Sequence, residues 1–461
     1  MRKQTQQMMA ALVALALLLP ALVWAAYPAE VPRTGQTRSY AAGDDGDIQA
    51  GVAWPDPRFI DSGGGTVTDK LTGLEWTKDA NAAARIMTWQ EALNYVKTLN
   101  TGGHNDWRLP NINELESLVN AGRSNPALPL NYPFSNVQSD GCWSSTSVAD
   151  GTNDAWVVDM YDGGVYRGDK TDGSYGYVSH DGKSHYAGFV WPVREGQCGS
   201  LDNSVICLPK TGQTDCYNDN GTIIDCAGTG QDGDIQAGVA WPNPRFVDHG
   251  DGTVTDSLTG LEWTKDVSPV GGTWHGVLYN VKTLATGGHS DWRPPNRREL
   301  RSLADYARNN PALPQGHPFT NLVSNDSDYW SSTSYAGSSQ AYADYTHWFW
   351  AWRVDFNGGN VYSTHKVNGS NLWPVRAGQV DNSTISSCPA KKVLGADNPK
   401  LENLRDFRDS KLAQSAVGRR IIGIYYNNAD SINAALERSP ALRAVTRRVL
   451  EVVAPMVGRK E

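Results

Sequence analysis

The chain has 461 residues, a net charge of −8, 46 Gly and 17 Trp. At roughly 100–200 residues per domain this allows two to four units, each large enough to bury a core without metal or many disulfides. From Cys388 onward 14 Lys and Arg face 8 Asp and Glu, so the last segment carries +6 and residues 1–387 carry −14; so acidic a body repels phosphate or sulfate polymers and argues against nucleic acid as a partner.

Arg2 and Lys3 precede an apolar run, Met8 to Ala25, that ends on Val23-Trp24-Ala25. That order marks residues 1–25 as a cleavable secretory signal rather than a membrane anchor. The mature chain is expected to be exported: periplasmic, on the outer surface, or secreted.

Two copies of one module follow. Asp45-Gly-Asp-Ile-Gln-Ala-Gly-Val-Ala-Trp-Pro55 recurs unchanged at Asp232 to Pro242, and Thr72-Gly-Leu-Glu-Trp-Thr-Lys-Asp79 recurs at Thr259 to Asp266. Asn125 to Pro129 matches Asn310 to Pro314, Trp143-Ser-Ser-Thr-Ser147 matches Trp330 to Ser334, and Trp191-Pro-Val-Arg194 matches Trp373 to Arg376. The offset drifts, as it does when insertions fall in surface loops. Trp54, Trp76, Trp89, Trp107, Trp143, Trp156 and Trp191 all have partners in the second copy. Rings that each bury ~150–250 Å² and recur at fixed places read as core. Trp348 and Trp350 have no partner and read instead as an exposed aromatic surface.

Within each copy, Thr88-Trp-Gln-Glu91 is a capping box that opens a helix carrying Leu93, Val96 and Leu99, stopped at Gly102-Gly103. Thr273 opens its counterpart, with Gly276 in place of the capping Glu. Asn111-Ile-Asn-Glu114 and Asn296 to Glu299 open a second helix. Trp156, Val158 and Met160 alternate as in a strand, and Asp162-Gly163-Gly164 turns into Val165-Tyr166, as Asn357-Gly358-Gly359 does later. The expected architecture is α+β: a first module at 34–196, a linker at 197–210, a second module at 211–378, a linker at 379–387 and a small all-α tail at 388–461.

The ordered blocks Gly-Thr-Val-Thr-Asp, Thr-Gly-Leu-x-Trp, Gly-Gly-His-x-Asp-Trp-Arg, Asn-x-x-Glu-Leu, Trp-Ser-Ser-Thr and Trp-Pro-Val-Arg resemble the Lcl C-terminal domain family, twice, over most of residues 34–378. The resemblance implies a bacterial source, modules with a fold similar to the C-type lectin and formylglycine-generating enzyme group, and binding to extracellular carbohydrate, sulfated glycans included. In the tail, Leu404-Arg-Asp-Phe-Arg-Asp409, Gly418-Arg419, Tyr425-Tyr426 and Pro440-Ala-Leu-Arg443 resemble the CFI-box C-terminal domain, with Cys388-Pro-Ala at its opening. Its basic helices could meet an anionic membrane or wall polymer; a helical bundle with solvated Arg faces is the alternative.

Six cysteines in an exported chain favour disulfides. Cys216 and Cys226 flank a turn-rich stretch and are expected to pair; Cys198 and Cys207 are a second candidate pair, leaving Cys142 and Cys388. Gly228 to Gly233 spells a dinucleotide pattern without the strand and helix it needs. Asp248, Asp251 and Asp256 hint at calcium at the wrong spacing for a helix-loop-helix site, so no cofactor is expected, with calcium as the alternative. His104 and His289 match but stand alone in the sequence. Arg108, Asn111 and Glu114, with Arg293, Asn296 and Glu299, could hydrogen-bond a sugar, or could equally cap helices and form an ion pair; Trp348 and Trp350 could stack on one. The chain reads as a non-catalytic, adhesin-like binding protein of the bacterial envelope whose partner is carbohydrate, another surface polymer or protein. The alternatives are a formylglycine-generating-type enzyme acting on exported proteins and a structural or assembly component of the cell surface.

Overall fold

The blocks that read as alternating or turn-flanked segments fold as strands, and strands dominate. The structure, a computed structural model, describes residues 29–178, 184–194, 205–322, 328–337 and 349–377 with scattered positions after 392, and of 174–178 and 184–187 the backbone. In the first repeat Phe59–Gly63, Thr66–Asp69, Glu75–Thr77 and Val193–Arg194 form a four-stranded sheet; Phe246–Asp248, Thr253–Asp256, Leu261–Thr264 and Val375–Ala377 form the same sheet in the second. Ten further strands make a single sheet across both repeats. From one edge it runs Val270–Gly272, Ser370–Leu372, Asp328–Ser334, Trp350–Asp355 and Val361–His365, then Val165–Asp169, Asp154–Asp159, Gly141–Ser147, Ser184–Phe189 and Ser174–Val178. The repeats meet where Val361 pairs antiparallel with Val165. Both modules belong to one compact unit, Pro28–Ala377.

Six short helices decorate these sheets: α1 (Asp45–Ile48), α2 (Trp89–Val96), α3 (Ile112–Ser117), α4 (Asp232–Ile235), α5 (Trp274–Asn280) and α6 (Arg297–Arg301). The capping boxes at Thr88/Glu91, Asn111/Glu114 and Asn296/Glu299 are all formed, and Thr273 caps α5 through the Gly276 amide. The expected fold class is nonetheless corrected. Among the described residues the expected two α+β, C-type-lectin-like modules followed by an all-α tail give way to mostly β sheet, with helices of at most eight residues. The caps were legible because they are local, whereas strands such as Gly141–Ser147 and Asp328–Ser334 are buried on both faces and so lack alternation. Gly141–Ser147 is buried at every position. The expected tail falls largely outside the described residues. In the second unit, Met1–Tyr27 with Gly378–Glu461, the described Val393, Leu394, Leu401 and Leu436 are buried. The expected signal sequence also lies outside the described residues. No helix among those described is long and apolar enough to cross a membrane.

The paired tryptophans are core. Trp76, Trp89, Trp107, Trp143, Trp156 and Trp191 are buried, as are Trp263, Trp274, Trp292, Trp330, Trp352 and Trp373. Trp54 and Trp241 are only half-buried, and each donates its indole N–H to a backbone carbonyl, Arg33 at 2.8 Å and Lys210 at 3.0 Å. The expected Cys216–Cys226 disulfide is present and closes the two-stranded hairpin Cys216–Tyr217/Ile223–Ile224.

The segment ahead of each module crosses to the other copy. Gln36 exchanges two hydrogen bonds with the backbone of Ser334, 2.7 and 2.9 Å, and Gln213 does the same with Ser147, 2.9 and 2.8 Å. Asp45, in the block repeated unchanged, accepts from Thr34 at 2.6 Å and from Thr333 of the other copy at 2.7 Å. Its counterpart Asp232 accepts from Thr211 at 2.6 Å and from Thr146 at 2.7 Å. Those far threonines in turn accept from the first amides of α6 and α3. Lys366 projects over the rings of Trp274 and Tyr40, and Lys170 over Trp89 and Tyr217, so a lysine and tryptophan of each module close on a tyrosine of the opposite arm. Burial pushes both amines down to about 8.

These arms respond to pH. Burial raises Asp45 and Asp232 to about 6 against the opposing pull of their threonine hydroxyls. An unfolded Asp titrates near 3.9, so the folded unit holds these protons more tightly. Their stabilisation is complete below about pH 4 and is lost as pH rises through about 6, at about 2–3 kcal/mol each. Asp45→Asn with Asp232→Asn keeps a carbonyl acceptor and removes the titration. Melting curves from pH 4 to 7.5 should show the variant gaining on the wild type as pH rises; profiles that stay parallel would contradict the assignment.

Candidate functional site

Strand register builds a charged cluster at the same place in each copy. Glu75 lies opposite Arg194, and Glu262 opposite Arg376. The loop after α2 is pinned alongside, because Arg108 and Val193 exchange backbone hydrogen bonds of 2.9 and 3.0 Å. Gly102 (φ 66°) makes that approach feasible: a Cβ there would stand 2.6 Å from Thr66 Cγ2, and one on Gly287 2.4 Å from Thr253 Cγ2. The loop thereby carries His104 and Asp106 to the arginine.

Arg194 donates through Nε and Nη2 to the two Asp106 oxygens, 2.8 and 3.0 Å, and through Nη1 to Glu75 at 2.6 Å. Arg376 donates to Asp291 at 2.8 Å and to Glu262 at 3.0 Å, with His289 Nε2 at 3.7 Å from Glu262. Hydrogen bonding to Arg194 holds Asp106 below the usual carboxylate range. Burial pushes Glu75 upward, but Thr66, Arg194 and His104 outweigh it and hold that carboxyl low; Arg376 likewise overcomes burial at Asp291. The arginine is largely covered while the aspartate remains open, 44% exposed at Asp106 and 53% at Asp291. Each cluster therefore presents fixed, ionised acceptors beside an imidazole. The matched blocks contained all of these residues, yet only the histidines drew notice in the sequence, and there they stood alone. The shared signal was a polar side chain at the same position of every block in both copies.

The six residues singled out from sequence as sugar ligands sit elsewhere and are engaged internally. Arg108 grips Glu114 with two contacts of 2.6 Å, and Arg293 grips Glu299 at 2.8 and 2.6 Å. Asn111 and Asn296 cap α3 and α6 and donate to Ala237 and Ala50 of the crossing arms, each at 3.2 Å. Trp350 is half-buried and sets its ring edge-on to His365, 5.6 Å between centroids. Phe349 stacks on the same imidazole at 5.4 Å and remains 40% exposed. Trp348 lies outside the described residues.

Cys142 is buried in Gly141–Ser147, and burial pushes its thiol far up, Asp159 and Asp140 adding to the effect. Cys198 and Cys388 lie outside the described residues, and with them the Cys198–Cys207 pairing. The aspartates considered for calcium are engaged: Asp248 with Lys265 at 2.6 Å, Asp256 with Arg245 at 2.9 Å, and Asp251 with Thr253 at 2.7 Å. Among the described residues no group of three His, Cys, Asp or Glu could hold a metal ion. Gly228 and Thr229, in the dinucleotide-like stretch, lend their carbonyls to Lys97 at 2.8 Å each.

The model of the Lcl C-terminal domain matches residues 65–194 and 252–376, more than half of the chain. The chain belongs to that family. Both cluster arginines, both acidic partners of each and both histidines fall within the matched segments, whereas the crossing arms precede them. No curated protein and no solved structure matches the chain.

Proposed function

We propose that this tandem Lcl C-terminal domain protein is an exported, non-catalytic binding protein of the bacterial envelope that recognises carbohydrate or another hydroxyl-rich surface polymer. The observation that carries the reading is the duplicated Glu–Arg–Asp–His cluster, whose aspartates stay open to solvent in both copies. Rigid, ionised acceptors beside a donor imidazole suit sugar hydroxyls, and their ordering is already met by the arginine before a ligand arrives. The stacked Phe349–His365 surface adds an apolar face for a sugar ring on the second copy. Two clusters in one compact unit raise avidity for a repeating polymer.

A formylglycine-generating-type enzyme acting on exported proteins would need a reachable thiolate at Cys142 or Cys388; the Cys142 thiol is buried and held protonated, which counts against it, and Cys388 lies outside the described residues. A glycan array on the mature chain, with and without calcium, tests the proposal. Binding to a defined glycan set is expected, falling at least tenfold in Asp106→Ala with Asp291→Ala. Silence across the array in both conditions would favour a structural or assembly role, and binding untouched by the double substitution would move the site elsewhere.

A further inference from the structure

The face between the two modules holds buried charge that sugar binding does not use. Glu116 of α3 stands among Arg297, Arg298 and Arg301 of α6, with closest contacts of 3.6, 3.4 and 3.5 Å. All four side chains are buried. Arginine–carboxylate pairs elsewhere in the same unit close fully, Arg58–Asp69 to 2.6 Å and Arg245–Asp256 to 2.9 Å. One carboxylate shared loosely among three guanidiniums does not neutralise them.

The three arginines are also served unequally. Arg298 Nη2 donates to the carbonyls of Glu116, Ser117 and Val119, and its Nη1 to Arg33. Arg301 Nη2 donates to Ile112 O and Asn113 Oδ1. Arg297 has Gly163 O through Nη2 and the Trp352 ring 4.2 Å from its guanidinium carbon, while its Nε and Nη1 have no hydrogen-bond partner; Arg301 Nε has none either. Asp162 acts on Arg297 electrostatically, so two carboxylates face three guanidiniums and one positive charge remains in a region shut off from solvent. Buried N–H donors are rarely left unmade, and an uncompensated buried charge costs several kcal/mol.

We infer that a small monovalent anion of the halide class binds between the modules, held by Arg297 Nε and Nη1. Ile112 occupies the matching position of the first copy, so there is one such site per chain. The anion ties the second module to the first and contributes to the stability of the pair.

The test uses the full mature chain, melted in sodium chloride and in sodium gluconate at constant ionic strength. The midpoint should rise with chloride by roughly 2 °C per tenfold increase once the site begins to fill. Arg297→Ile, which takes the residue of the first copy, should abolish the difference between the salts. Bromide should reproduce the chloride effect and give an anomalous scattering peak beside Arg297 in crystals. Equal melting in both salts, or chloride dependence undiminished in R297I, overturns the inference. Should R297I fail to fold, crystals of the wild type in bromide without a peak at Arg297 overturn it on their own.

Discussion

Exchanging the facing residues of α3 and α6 one helix at a time is expected to unfold the chain, and exchanging both together to restore it. The repeat aligns Ile112, Asn113 and Glu116 with Arg297, Arg298 and Arg301. The substitutions Arg297→Ile, Arg298→Asn and Arg301→Glu set a carboxylate against Glu116 and remove the donor that serves three backbone carbonyls, at 3.1, 3.0 and 2.7 Å. Stranding one partner of a buried pair costs about 3–5 kcal/mol, and each orphaned carbonyl about 1–3 more. That total reaches the whole stability of an ordinary domain. The reverse set, Ile112→Arg, Asn113→Arg and Glu116→Arg, crowds six guanidiniums onto one face. Installed together, the two sets re-create unlike faces across the same symmetric joint. Circular dichroism melts should show both one-sided variants unfolded or severely destabilised, and the two-sided variant recovering at least half of the lost midpoint. One-sided variants that melt with the wild type would mean the charges do not select the partner; a two-sided variant no better than either would place selection in the arms alone.

What could be read from the sequence was local or repeated, and what could not was long-range. Thr88, Asn111 and Asn296 announce their helices because a cap and its partner lie three residues apart. The twelve matched tryptophans that prove buried announce the core because two copies kept them at fixed places. Trp156 to Met160 and Val165-Tyr166 read as strands, but Gly141–Ser147 and Asp328–Ser334 did not. Gly141–Ser147 consists largely of Ser, Thr and Gly, and two of its buried hydroxyls find partners, Ser144 on Trp156 O at 2.7 Å and Thr146 on Asp232 at 2.7 Å. Polar residues satisfied inside a sheet look like loop residues in a sequence. The crossing arms were hidden more thoroughly: the block from Asp45 to Pro55 was plain as a repeat, but nothing local says that Asp45 meets Thr333 rather than Thr146. The same holds for the charged cluster. Asp106 and Glu75 come to Arg194 through sheet register and a glycine-tight loop, neither visible as a motif. Of the sequence-derived ligand candidates, Asn111 and Asn296 also donate across to the other copy's arm, a contact no local pattern announces.

Replacing Trp263 with Ala should cost about 3–5 kcal/mol, the range for removing a large ring from a core. Trp263 is fully buried on Leu261–Thr264, the strand that also carries Glu262 of the second cluster. Its ring stands edge-on to Trp373 at 5.7 Å, and Trp373 in turn packs on Phe319 at 4.6 Å, Phe356 at 5.4 Å and Tyr329 at 5.6 Å. The loss therefore opens a cavity against a network of rings that cannot close over it without leaving their rotamers. Its indole N–H has no hydrogen-bond partner, so Trp263→Phe forfeits volume but no bond and should lose clearly less. Tyr279, 72% exposed on α5, supplies the contrast, and Tyr279→Ala should stay within about 0.5 kcal/mol of the wild type. Because both modules share one compact unit, the measurement belongs to the intact two-module chain, with denaturant melts followed by tryptophan fluorescence and circular dichroism together. A Trp263→Ala midpoint indistinguishable from that of Tyr279→Ala would mean that the ring network does not hold the strand, and the position of Glu262 beside Arg376 would then need another support.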